Sequence, residues 1–117
     1  MDMGLIDFIR GVLISGGVCV YSDETGNEKE YTVPMSESQY INLTRIILSS
    51  TPKETRVKYT VCVGDIAMTE IVISSNKRVF TPEEQAILGL FNLCAKQVIA
   101  QEMRMIMKMG TGRVYHS

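Results

Sequence analysis

Apolar and polar residues alternate in different rhythms along this chain, and the changes of rhythm mark its elements. Leu5, Ile6, Ile9, Val12 and Leu13 recur at helical spacing with Asp7 and Arg10 opposite them, which predicts a short helix over residues 3–13 capped by Asp2. Ser15-Gly16-Gly17 ends it. Val18–Tyr21 and Lys29–Val33 read as two strands joined by a turn over Asp23–Glu28. Pro34 stops the second strand, and Ser36-x-x-Gln39 reads as a capping box opening a middle helix near 37–49, with Tyr40, Leu43, Ile46 and Ile47 on one face.

Residues 55–63 alternate with period two. Val57, Tyr59, Val61 and Val63 point one way, and Arg56, Lys58, Thr60 and Cys62 the other. Gly64-Asp65 suits a two-residue hairpin turn, and Ile66–Ile73 returns. Thr81-Pro82-Glu83-Glu84 then opens a long apolar helix over 82–108, with Thr81 as N-cap, Pro82 at the first helical position and Glu84 as the reciprocal acid of a capping box. Gly110 is expected to end it, leaving 110–117 as a flexible tail. The order predicts one small α+β domain: an antiparallel sheet of two hairpins, a short N-terminal helix, a middle helix and a long C-terminal helix.

The last helix is apolar around most of its girth. Ile87, Phe91, Cys94 and Val98 make one stripe, widened by Leu88, Leu90, Leu93 and Ile99 and extended by Met103, Met105, Ile106, Met107 and Met109. A helix hydrophobic on so much of its surface needs covering on as much of it. The expectation is a homo-oligomer with Val98, Met105, Ile106 and Met109 at its interface.

Segment 66–106 resembles the closing part of a GAF domain. In that family an Asn-Lys pair, a spacer, Phe, three residues and Asp-Glu lead from the last strand into the final helix. Here Asn76-Lys77, Phe80 and Glu84-Gln85 take those places, with a shorter spacer and Gln85 where the second acid would stand. The resemblance implies a ligand-binding or regulatory domain, and a Lys77–Glu84 ion pair acting as a structural clasp.

Charge narrows the partners. Twelve Lys/Arg against thirteen Asp/Glu give a net charge of −1, so no field favours duplex nucleic acid. Cys19, Cys62 and Cys94 are odd in number, lie in apolar segments and lack metal-ligand spacing, which predicts free thiols and a cytoplasmic protein. Asp7 and Arg10 interrupt the N-terminal apolar run, so neither a secretion signal nor a membrane span is expected. The single histidine, His116, stands one residue from the end of the sequence, and no nucleophile elbow, phosphate-binding glycine loop or paired-carboxylate signature occurs. No catalysis, cofactor or metal is expected.

Arg56, Lys58 and Thr60 share a strand face, while Arg113 and Tyr115 follow the long helix in a glycine-bearing segment. Arginine pairs with phosphate and tyrosine stacks on a base, so these five residues form the expected binding site for an anionic, nucleotide-like ligand. The leading expectation is therefore a non-enzymatic small-ligand-binding or regulatory domain acting as an oligomer. The alternative is a small phage or mobile-element inhibitor, either a sponge that sequesters a nucleotide second messenger or a protein–protein blocker.

Overall fold

A computed structural model describes the backbone of residues 3–35 and 38–116, and side chains over 4–22, 26–35 and 38–107. Helix α1 (Met3–Ile14) buries Ile6, Ile9 and Leu13 and exposes Asp7 and Arg10, as its spacing requires. Asp2, its expected cap, lies outside the described residues. The helix closes in a Schellman motif: Gly17 N–H donates to the Val12 carbonyl (2.8 Å) and Gly16 N–H to that of Leu13 (3.2 Å). Gly16 takes a φ of 96°, a conformation that side chains rarely adopt.

Five strands follow: β1 (Val20–Thr25), β2 (Glu28–Pro34), β3 (Tyr40–Ser50), β4 (Thr55–Val63) and β5 (Ile66–Ser74). They form one antiparallel sheet in the order β1-β2-β3-β4-β5, so every sheet neighbour is also a chain neighbour. The β4–β5 turn is the expected Gly64-Asp65 pair, with Gly64 at φ 60° in the first central position. The β1–β2 turn is tighter than the sequence suggested, with Thr25 paired to Glu28 across Gly26-Asn27.

The expected middle helix is β3, the central strand. Its residues satisfy a helical and an extended pattern at once, and β-branched Ile41, Thr44, Ile46 and Ile47 favour the extended one. Alternation decides the matter. Ile41 and Leu43 are buried on one face while Asn42 and Thr44 occupy the other, and the strand fills the place between β2 and β4 that a helix would leave open. The two expected hairpins thereby become parts of one meander. Ser36, the first residue of the expected capping box, lies outside the described residues.

One face of the sheet is covered by α1 and by α2 (Pro82–His116). The core joins Ile6, Ile9 and Leu13 of α1 to Val33, Leu43 and Val61 of the sheet and to Ile87, Leu90 and Cys94 of α2. Near the end of its packed part, the Gln97 side-chain amide donates to the Leu13 carbonyl at the end of α1 (2.7 Å). At 35 residues α2 is about 52 Å long by its rise per residue. That matches the 52 Å longest extent of the molecule. Gly110 does not end the helix, whose backbone continues to His116, because glycine lowers helix propensity without removing a backbone donor. Side chains from residue 108 onward, including Met109, Arg113, Tyr115 and His116, lie outside the described residues. Among the described residues, no helix is long and apolar enough to cross a membrane.

Candidate ligand cleft

The two faces of the sheet differ in kind. On the outer face, away from the helices, cross-strand rows run Ser22–Glu30–Thr44–Thr60–Glu70 and Glu28–Ile46–Lys58–Val72. Arg56, Lys58 and Thr60 stand together here, as the sequence places them. Their surroundings are not cationic, because Glu28, Glu30 and Glu70 share the face with the two bases. Cys62 reports the same field: burial pushes its thiol up, and Glu30, Glu70 and Asp65 push it further. Arg113 and Tyr115 belong to α2, and their side chains lie outside the described residues.

The inner face carries a pair of cations that sequence reasoning missed. Lys29 of β2 lies directly opposite Arg45 of β3, and Arg45 opposite Tyr59 of β4. In the alternation of β3, Arg45 continues the series Ile41, Leu43 onto the helix-facing side, where an apolar residue would ordinarily sit. Among the described residues the one ion pair is Lys77–Glu84, so neither Lys29 nor Arg45 has a carboxylate partner there. The side chains of Asp23–Thr25, on the neighbouring strand, lie outside the described residues.

Aromatic rings stand beside the two cations. Tyr31 stacks on Tyr21 with ring centres 5.3 Å apart, and Phe91 of α2 meets Tyr31 and Tyr59 edge-on at 6.3 and 5.0 Å. Tyr59 is half-buried and still offers part of its ring. Burial raises the Tyr31 phenol, with Tyr21 and two nearby thiols adding, while Arg45 draws it back down. Between these groups and the Leu88–Ala95 stretch of α2 opens a cleft of about 450 Å³. Beyond Arg45, Tyr59 and Leu88 it adjoins a second lobe of about 330 Å³, floored by Val57, Ile73 and Phe80, with the Ser74 and Ser75 hydroxyls at its rim. Both volumes lie in the range that holds small organic ligands. A groove of about 510 Å³ between α1 and α2 also carries two cations, Arg10 and Lys96, but no aromatic ring lines it.

The strand-to-helix corner forms as the sequence indicates. Glu84 accepts from Lys77 Nζ (2.6 Å) and from Thr81 N–H (2.9 Å), and its own N–H donates to Thr81 Oγ1 (3.1 Å). The Lys77 ammonium, then the Thr81 amide, hold the Glu84 carboxyl below its ordinary range. This clasp fixes α2 against the end of β5 beside the second lobe.

Cys19 and Cys94 are buried, neighbour each other in the core and form no disulfide, while Cys62 is free and half-buried on the outer face. The neighbouring Cys19 thiol and burial push Cys94 up, so it stays a protonated thiol. Among the described residues, no group of His, Cys, Asp and Glu is arranged to hold a metal ion. Within the single chain Met105, Ile106 and Met107 are about two-thirds exposed, and Val98 is partly buried against the core. Comparison of the chain with protein-family models, with curated proteins and with solved structures finds no match.

Proposed function

We propose that this chain is a non-enzymatic small-ligand-binding or regulatory domain, and that the cleft between α2 and the inner sheet face receives an anionic, nucleotide-like ligand. One observation carries the reading: Lys29 and Arg45 are set opposite each other at the mouth of an aromatic-walled cleft. Like charges directly opposite on a sheet repel, and an anion between them turns that repulsion into two charge-assisted hydrogen bonds. Tyr59 supplies a ring for a base, and the Asn92 amide in the same wall supplies both a donor and an acceptor. The GAF resemblance adds little to this reading, because the Thr81–Glu84 capping box accounts for the start of α2 without it.

The exposed apolar far half of α2 supports self-association as part of the same reading, with Met105 and Ile106 packed against a second copy. A chain that sequesters a nucleotide signal without converting it would need no more than this cleft. The test is a melting series with inorganic phosphate, AMP, GMP and dinucleotides, because a ligand that binds only the folded state raises the melting point with its concentration. A concentration-dependent rise that Arg45→Ala removes is the expected result. No shift with any of them refutes the reading.

A further inference from the structure

We infer that the ligand is a dinucleotide lying across Arg45, with one base in each lobe of the cleft; the inference rests on the functional reading above. The two lobes adjoin at Arg45, Tyr59 and Leu88, so Arg45 borders both. A side chain shared by two cavities suits the part of a ligand that is shared by its two halves. In a dinucleotide that part is the phosphate linking two nucleosides. Guanidinium, planar and always charged, can donate to two phosphate oxygens together, which fixes the linkage in orientation as well as in place.

Each lobe also has what a base needs. The first has the half-buried Tyr59 ring in its wall and the Asn92 amide for a base edge. The second has the Phe80 ring in an apolar floor shared with Val57 and Ile73, with serine hydroxyls at the rim. The cations are distributed unevenly. Lys29 lines only the first lobe, and Lys77, at the second, is engaged by Glu84. A second phosphate would therefore sit at the Lys29 end, which favours a linear dinucleotide with a terminal phosphate or a cyclic one whose second linkage faces Lys29. A mononucleotide would fill one lobe and leave the other to water.

The two levels of the argument separate in one calorimetric experiment on the full chain. The probes are inorganic phosphate, AMP, GMP, pApA, pGpG, cyclic di-AMP and cyclic di-GMP. The expected result is at least one dinucleotide binding tenfold or more tightly than its mononucleotide, with Arg45→Gln weakening both. Phe80→Ala should remove the dinucleotide advantage while leaving mononucleotide affinity within twofold. Because Phe80→Ala thins packing, Ser75→Trp, at an exposed rim position, is the second variant and should occlude the same lobe by bulk. Equal affinity for mononucleotide and dinucleotide, or an advantage that survives both second-lobe variants, overturns the inference and leaves the functional reading standing. Binding of none of the probes overturns both.

Discussion

Lys29 and Arg45 face each other across the β2–β3 pair on the side of the sheet that the helices cover. Two like charges in that position oppose folding of the free protein, yet they suit the binding of an anion. Stability and affinity should therefore respond to their removal with opposite signs. Arg45→Met should raise the stability of the free protein by up to about 1 kcal/mol, the cost of like charges placed opposite on a sheet. The same change should weaken binding of an anionic ligand by about 1.5–3 kcal/mol. Denaturant melts and calorimetry on the one variant decide it. A loss of stability would mean that Arg45 serves the fold.

The Thr81–Glu84 capping box is complete, with both reciprocal bonds formed. Thr81→Ala should cost about 1 kcal/mol. A urea midpoint unchanged from that of the parent protein would show that α2 is held by its packing alone.

Glu84 also gives stability a dependence on pH. Its folded carboxyl titrates below the ordinary glutamate range. Its contribution is therefore fully present above the unfolded pKa and is lost as pH falls through the lowered folded one. Melting temperature should decline as acid is added below about pH 4.5, the ordinary value for glutamate. Glu84→Gln should flatten that part of the profile, and an unaltered profile would assign the decline to other carboxylates.

Gly17 lies where the chain leaves α1 and passes close to the preceding turn. A Cβ there would stand 2.6 Å from Val12 Cγ1 and 2.7 Å from the Val12 carbonyl oxygen. Gly17→Ala should destabilise by roughly 1–3 kcal/mol, as overpacking typically does, whereas Gly11→Ala, which meets nothing, should not. Equal melting temperatures for the two variants would contradict this geometry.

Met105 and Ile106 should lie at a contact between copies. Sedimentation at micromolar concentration should find an oligomer, and Met105→Lys with Ile106→Asp should give a folded monomer. A parent protein that is already monomeric rules the contact out.

Thiol labelling of the folded protein should modify Cys62 first, with Cys19 and Cys94 protected until the core opens. The sequence places all three alike, in apolar segments. The structure separates Cys62, because its sheet face has no helix over it.

What was legible in the sequence was local. The Thr81–Glu84 cap, the Gly64-Asp65 turn, the α1 stripe and the two faces of β4 each depend on residues a few positions apart, so spacing reveals them. The central strand is ambiguous in the sequence because Leu43, Ile46 and Ile47 also satisfy helical spacing, and only pairing with β2 and β4 makes the extended form prevail. The candidate cleft is hidden for a related reason. Read within a helix, Arg45 has nothing to place it beside Lys29, sixteen residues earlier and on a strand it would never touch. Assigning 40–50 to a strand and following its alternation from Ile41 would have put Arg45 on the covered face, an unusual position for an arginine and a signal worth following.

The meander also has a consequence for the chain while it is being made. Each strand pairs with the one synthesised just before it, so the sheet can assemble progressively as far as Ser74. Its covering helix comes last. At bacterial or eukaryotic elongation rates of about 5–20 residues per second, the apolar inner face waits some seconds for residues 82–101 to emerge. Through that interval the nascent sheet is paired but has only α1 to cover its inner face, and the molecule is at its most prone to stick to its neighbours. The Gln97–Leu13 bond, joining the last helix to the first, can form only once that interval has closed.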